Sequence, residues 1–567
     1  MTQPTDRAAR IAAGATSGAA AALFLACALL SYRRHVHIDE LTPLYSIQLG
    51  AAFGHPEYGV IELSGVLFQS LARLLASSQR LFVGFRVLEL TLLCALCWSI
   101  GQVQRSMPSP LGRAGVFLAA VCFGPLWRHG FEVRHDMFLA FAIVLLAWAA
   151  ERARLGQLGL WAASVTGCGV ILAQANSSKA FTIWLPALAL CALLTARGQR
   201  PWQKRLLAAG LRFVPGILLG GVAVAAVLGA AGVLQEYGQQ LRQFASYSSA
   251  PPYRLSAWPL LAFAVQRAPV HAGFVLLGLL SVARRLALRR PLAEALVPLG
   301  VFALSGLSIA VNPTPFPYNL TWLTPAWLLM AAHGFSRSLA LIGRVRSGPR
   351  PGVSFAAAAA ALAVFFFWNC EQDPYYRKTW EGQLRVVASV EALTSPDDPV
   401  LDLCGLVLSR PPVAKDWVVH SLLMPAYHAG KREAVREIIN RVWPPAAVTV
   451  YRWSFLDRAD WLSFKRNYVR FSDDVWTLGG TLNADSTVFE VHRAGRYRVR
   501  ASGDAGILDG HAIRGDDVLF LERGTHPLHA TTSFSIAWNG PGDPGPPAPA
   551  ANPLFVQGEL PGQRDRR

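Results

Sequence analysis

Apolar runs long enough to cross a lipid bilayer recur from the N-terminus to about residue 369, and few folds accommodate that pattern. A helix needs roughly 20 residues to span the hydrocarbon. Eleven runs are read near 11–31, 80–101, 114–127, 137–150, 157–174, 180–195, 213–234, 268–283, 293–311, 319–335 and 353–369. Inside lipid each backbone N–H and C=O must find its partner within the segment, so the runs are predicted to be helices. The 567-residue chain is 53% hydrophobic and only 16% charged, whereas soluble proteins carry roughly a quarter charged residues. The expected class is a polytopic α-helical membrane protein with about 11 transmembrane helices.

The net charge of +18 could suggest a nucleic-acid partner, but the positions of the charges exclude it. Lys and Arg gather in alternate short loops: Arg105 and Arg113; Arg152 and Arg154; Arg197, Arg200, Lys204 and Arg205; Arg284, Arg285, Arg289 and Arg290; Arg337, Arg344, Arg346 and Arg350. The positive-inside rule makes these loops cytoplasmic. The N-terminus, with Arg7 and Arg10, is then cytoplasmic as well, and an odd number of spans places the C-terminal part outside. Arg33 and Arg34, on the outer side, run against the rule. The first run is too long for a signal-peptide core, lacks a clear small-residue cleavage site, and is followed by further spans. Abundant Ala, Arg and Gly suggest a GC-rich bacterial genome, so the expected location is the bacterial inner (cell) membrane.

Four segments follow. Residues 1–370 form a membrane domain, with a long first external loop at 32–79 in which Val60–Ala76 reads as an amphipathic interfacial helix. A second external loop is expected at 235–267. Residues 371–486 read as an external α/β region, with a helix at Trp380–Leu393, a turn at Ser395–Asp398 and a strand at Val400–Leu403. Residues 487–539 alternate in short strands punctuated by Gly495, Gly503, Gly510 and Gly524, the pattern of a small β-sandwich. The Pro-, Gly- and Ala-rich stretch 540–567 reads as a disordered tail. Six of the eight cysteines fall in or beside the spans; Cys370 and Cys404, both in the external region, could pair in an oxidising compartment.

With this topology, the ionisable groups near the spans collect on one face. The first external loop carries His35, His37, Asp39, Glu40, His55, Glu57 and Tyr58. Trp127–Asp136, which includes Arg128, His129, Arg134, His135 and Asp136, precedes the fourth span. Gln174–Lys179 lies between spans five and six, and Asn312–Tyr318 precedes span ten. Charge beside a membrane is costly and usually serves pairing, transport or chemistry. A carboxylate within reach of an acceptor hydroxyl can act as general base. Lys, Arg or a metal can stabilise a phosphate leaving group. A polyprenyl-phosphate sugar donor presents both groups at the membrane surface while its tail stays in lipid, and suits such a cavity.

The arrangement resembles the GT-C-fold membrane glycosyltransferases, the group that contains protein O-mannosyltransferases and lipid A aminoarabinose transferases. The resemblance rests on Asp39-Glu40 after the first span, on Arg134-His135-Asp136 near the family's second acidic position, on Ser178-Lys179-Ala180-Phe181, and on Pro317-Tyr318 through Thr324-Pro325-Ala326, and it covers roughly residues 10–370. It implies transfer of a sugar from a polyprenyl-phosphate donor to a glycan, lipid or protein acceptor on the periplasmic or external side. Asp39 is then the candidate base, with Glu40 and Asp136 shaping the donor or acceptor site. Arg134 and Lys179 would contact donor phosphate, and His55, Glu57, Tyr58 and Tyr318 would line the substrate site. A divalent metal, Mg or Mn, could be held by Asp39, Glu40 and Asp136 with His135. Where the family has His-Pro-Pro this chain has His55-Pro56-Glu57-Tyr58, and His135 replaces the usual proline.

Plainer roles compete. Asp39-Glu40 could be a solvated loop end, Arg134 and Asp136 a structural ion pair, Lys179 a snorkelling side chain, and Tyr318 an interfacial anchor. The rival functions are a transporter or flippase of lipid-linked sugars, and a noncatalytic envelope-assembly protein whose external domain binds a partner.

Overall fold

The computed structural model describes residues 4–32, 34, 63–67, 78–103, 110–130, 136–176, 202–249, 256–292, 294–312, 319–345, 351–372, 379–413, 427–472 and 474–542. Helices stand at every predicted run except 180–195, which lies outside the described residues. They are α1 (Pro4–Tyr32), α2 (Ser78–Val103), α3 (Pro110–Val121), α4 (Gly124–His129), α5 (Asp136–Arg154), α6 (Leu160–Gln174), α7 (Trp202–Leu211) and α8 (Val214–Ala230). Then follow α9 (Leu234–Ser249), α10 (Ala257–Arg267), α11 (Pro269–Ala287), α12 (Leu296–Val311), α13 (Leu320–Val345) and α14 (Pro351–Gln372). By length and composition, Arg10–Ser31, Val83–Val103 and Pro269–Ala287 are each able to cross a membrane, and Val214–Ala230 with Leu234–Arg242 makes a fourth if that bent pair is one span.

Three expectations change. The run 114–127 is not one helix: Pro125 has no N–H to continue the ladder, so α3 stops and the short, buried α4 starts afresh. The run 213–234 ends at Ala230, where Gly232 takes φ +73° and α9 leaves at 115° to α8. The segment 235–267, expected as a loop, instead carries α9 and α10. Within 60–76, only 63–67 is described, and it is helical.

Close helix approach depends on missing side chains. A Cβ on Gly334 of α13 would collide with the Phe274 carbonyl of α11, and one on Gly216 of α8 with the Ser164 carbonyl of α6. A continuous apolar core joins α1–α6 to α10–α14, while Leu25, Trp161, Leu218, Val222 and Leu280 remain exposed on the outside. Exposed apolar faces of this extent suit a lipid surround.

The C-terminal region is built on two sheets. Its strands are β1 (Val400–Asp402), β2 (Ala446–Val448), β3 (Tyr468–Arg470), β4 (Val475–Leu482), β5 (Val488–Val491) and β6 (Gly495–Arg500). They continue with β7 (Asp504–Leu508), β8 (His511–Arg514), β9 (Val518–Leu521), β10 (Gly524–Ala530) and β11 (Phe534–Trp538). The larger sheet runs β1-β2-β4-β11-β6-β9 with β3 on β4, and the smaller runs β5-β10-β7-β8. Among the described strands β1 and β2 pair in parallel and the other strand pairs are antiparallel. Strands from both sides of residue 486 thus share one sheet. The β7–β8 hairpin turns through Asp509 and Gly510, both at positive φ, as a type I′ turn requires.

This domain sits on one end of the helical bundle. Helix α15 (Glu381–Leu393) follows α14 and packs on the sheet, where Trp538 Nε1 donates to the Leu393 carbonyl at 2.8 Å. Arg34 bridges to Thr379, and Phe85 of α2 belongs to the apolar core of the C-terminal domain. Ion pairs at the opposite end of the bundle join Glu151 to Arg154, and Glu294 to Arg337 and Arg285. Cys370 lies against the membrane core and Cys404 inside the C-terminal core, and the two do not pair with one another.

Candidate active site

The bundle end beneath the C-terminal domain buries charge. Arg34, Arg86, Glu89 and Asp136 are 1–3% exposed, and Arg128 and His129 are also buried. Removing one such ion from water costs several kcal/mol unless it is paired and hydrogen-bonded, so this concentration is a specific feature. Arg34 lies just beyond α1, and its Nη1 donates to the Trp127 carbonyl at 2.5 Å. Arg86 Nη1 donates to the carbonyls of Ser31 and Arg34 at 3.0 and 3.3 Å. The end of α1 is thereby tied to α2.

Arg86 and Glu89 are three residues apart on α2 and share a helix face. Helix α4 forms a lid-like turn at this end: Trp127 Nε1 donates to the Val121 carbonyl at 2.6 Å, and Trp127 meets Phe24 at 5.1 Å between ring centres. The Arg128 guanidinium lies 4.7 Å over the Phe263 ring of α10, a contact that favours a cation within about 6 Å of an aromatic face. Asp136 begins α5, where its negative charge complements the helix dipole.

Neighbouring termini add polar atoms. Gln174 ends α6, and Asn176 Oδ1 accepts from Ser64 N at 2.8 Å while its Nδ2 donates to the Leu172 carbonyl at 2.8 Å. Tyr237 Oη of α9 donates to the Ala175 carbonyl at 3.3 Å. The side-chain amide of Gln174, Thr321 Oγ1 and Trp322 Nε1 are buried without a hydrogen bond among the described residues.

Of the residues singled out from sequence, Asp136 is in this cluster. Asp39, Glu40, His35, His37, His55, Glu57, Tyr58, Arg134, His135, Lys179 and Tyr318 lie outside the described residues. So do Cys191 and the expected tail from 543 onward. Arg86 and Glu89 were not singled out, although a signal existed: two charges inside the otherwise apolar run 80–101, where each is costly. Among the described residues no three His, Cys, Asp or Glu side chains gather as a metal site.

No protein-family model matches the sequence, and no curated protein matches it by sequence. By structure the chain is similar to ArnT from Cupriavidus metallidurans in the apo state, with a TM-score of 0.54 and 14% identity over 80% of this chain and 97% of that one. The same protein bound to undecaprenyl phosphate matches with TM-score 0.54, 13% identity and the same coverage. The apo oligosaccharyltransferase of Archaeoglobus fulgidus aligns with TM-score 0.47 and 11% identity over 88% of this chain and 74% of that one. The likeness to ArnT concerns the fold.

Proposed function

From the GT-C fold that this chain has, we propose that it is an integral membrane glycosyltransferase. It moves a sugar from a polyprenyl-phosphate donor to an envelope acceptor (a glycan, a lipid or a protein) on the side of the membrane that bears the C-terminal domain. The observation that carries this reading is the set of guanidinium and carboxylate groups, Arg34, Arg86, Glu89, Arg128 and Asp136, buried at the bundle end beneath that domain. Three guanidinium groups suit a phosphate, and the carboxylates suit a hydroxyl nucleophile. ArnT, of the same fold, is known with undecaprenyl phosphate bound. Charges at one end, rather than at the bilayer midplane where transporters bind substrate, favour transfer over transport.

In this reading the chain has eleven spans and a cytoplasmic N-terminus, lies in the bacterial inner membrane, and holds residues 371–539 in the periplasm. Asp39 takes the proton of the acceptor hydroxyl as its oxygen attacks the anomeric carbon from the face opposite the phosphate. The C–O bond to phosphate breaks, and its electron pair leaves with the lipid phosphate. Arg134, Lys179 and the buried arginines stabilise that charge, while Glu40 and Asp136 hold the sugar or acceptor hydroxyls. His55, Glu57, Tyr58 and Tyr318 line the same cavity. If a divalent ion takes part, Asp39, Glu40, Asp136 and His135 would hold it, and it would supply further charge at the phosphate.

The test compares envelope glycolipids, polysaccharides and glycoproteins from cells with the chain, without it, and with Asp39→Asn at equal abundance. A glycan lost in the second and third cases is the expected result. Full restoration by Asp39→Asn would reject the base, and an unchanged glycan profile without the chain would reject glycosyl transfer.

A further inference from the structure

A second cavity lies at the other end of the bundle. It has a volume of about 360 Å³, and its walls include Gly14 and Ser17 of α1, Trp98 and Gln102 of α2, and Arg113 and Phe117 of α3. Ser17 is about 20 Å along α1 from Ser31, at 1.5 Å per residue, so this cavity is separate from the charge cluster. The volume equals that of about ten waters. A Cβ added at Gly14 would meet nothing within 4 Å, which shows the α1 wall to be open.

The lining has two chemistries. Arg113 is the one charged residue among the described lining, and Ser17 and Gln102 add uncharged hydrogen-bonding groups beside it. Trp98, 57% exposed, and Phe117 supply apolar surface next to them. A cation beside an aromatic wall, opening toward the lipid-facing surface of α1, fits an amphiphile with an anionic head. The same end of the bundle exposes Arg284, Arg289 and Arg290, besides Arg154, Arg285 and Arg337, which pair with Glu151 and Glu294. A basic, lipid-contacting membrane face attracts anionic lipid headgroups, whereas a soluble anion would gain nothing from Trp98.

We propose that this cavity binds the headgroup of an anionic phospholipid. Arg113 and Gln102 take the phosphate, Ser17 hydrogen-bonds the headgroup, and one acyl chain runs over Gly14 and Trp98. The bound lipid fills the gap between α1, α2 and α3. This assignment does not depend on glycosyl transfer.

Native mass spectrometry of the full-length protein, purified in a neutral detergent and titrated with phosphatidylglycerol or phosphatidylcholine of equal chain length, tests it. The wild type should prefer phosphatidylglycerol, and Arg113→Gln should reduce that preference by about fivefold, the effect of one surface cation. Gly14→Leu, which replaces a poor helix former and fills open space, should lower retention of the lipid while the protein stays folded. Arg289→Gln, remote from the cavity on the same face, should change nothing. Equal binding of the two lipids, or a preference that survives both Arg113→Gln and Gly14→Leu, overturns the proposal. Displacement of phosphatidylglycerol by millimolar inorganic phosphate would also overturn it, by making the cavity a small-anion site.

Discussion

The two halves of the molecule bury carboxylates in different ways. In the C-terminal domain, Asp460 is fully buried and accepts from Tyr427 Oη at 2.6 Å, Val435 N at 2.9 Å, Arg436 N at 3.3 Å and Arg436 Nη1 at 2.9 Å. Asp402 accepts from the backbone of Cys404, Gly405 and Val407 and from the Cys404 thiol. Burial raises the Asp402 carboxyl above its ordinary range, and these hydrogen bonds hold it partly back. Burial, together with the Asp460 hydrogen bond, likewise pushes the Tyr427 hydroxyl up. These are short-range clamps: each carboxylate ties a loop or helix start to its neighbours. In the membrane half, Asp136 and Glu89 share one bundle end with three arginines, two of which spend hydrogen bonds on the carbonyls of Ser31, Arg34 and Trp127. The contrast is between carboxylates each clamped by several local donors and carboxylates buried together with arginines from distant helices.

Removing each kind of carboxylate should break the molecule differently. Asp136→Asn is expected to lower glycosyl transfer by at least about 100-fold, the scale of a lost acid–base or positioning group, with little change in melting temperature. A melting loss as large as that of an Asp460 variant would erase the distinction. Asp460→Ala should cost about 3 kcal/mol, because it leaves the Tyr427 hydroxyl and the Val435 amide buried without their acceptor. Denaturant unfolding of the C-terminal domain, followed by tryptophan fluorescence, would read it, and the surviving folded protein should keep normal transfer per molecule.

The smallest effect concerns His492, which stacks on Trp443 with rings 3.5 Å apart and 6° from parallel. Burial lowers the His492 imidazolium from its usual range against the opposing Glu490 charge. The unfolded chain therefore binds the proton more readily than the folded one. The sign follows: the His492 contribution is fully present above the ordinary histidine range and is lost as pH falls through that range. Melting temperature between pH 7.5 and 5.5 should fall less in His492→Gln than in the wild type. An identical pH slope would remove His492 from the account.

Much of the architecture was legible. Long apolar runs announced the helices, and alternation with glycine turns announced short strands from residue 487 onward, where β5 to β11 lie. The helix expected at Trp380–Leu393 runs Glu381–Leu393, and the strand expected at Val400–Leu403 runs Val400–Asp402. The misread stretches are those where period gave no warning. Pro125 broke a run whose hydropathy is continuous, and α9 hid in polar residues that looked like a loop. The cluster was half legible: Asp136 stood out beside Arg134 and His135, whereas Arg86 and Glu89 were absorbed into an apolar window average. Arg34 stood out only as a charge against the expected topology, and its bond to the Trp127 carbonyl was not legible.

The sequence by itself determined the class of the protein, since desolvating a backbone in lipid leaves helices as the solution for each apolar run. It also determined on which segments the charges would fall. Only the tertiary structure decided which of those charges meet. Arg34, Arg86 and Trp127 are separated by tens of residues and are joined by hydrogen bonds that depend on how α1, α2 and α4 pack. It likewise decided that the C-terminal domain caps that end, through Arg34 against Thr379 and Phe85 in its core. Local period reports burial along one segment, while the meeting of distant charges depends on close packing between segments, which no single window contains.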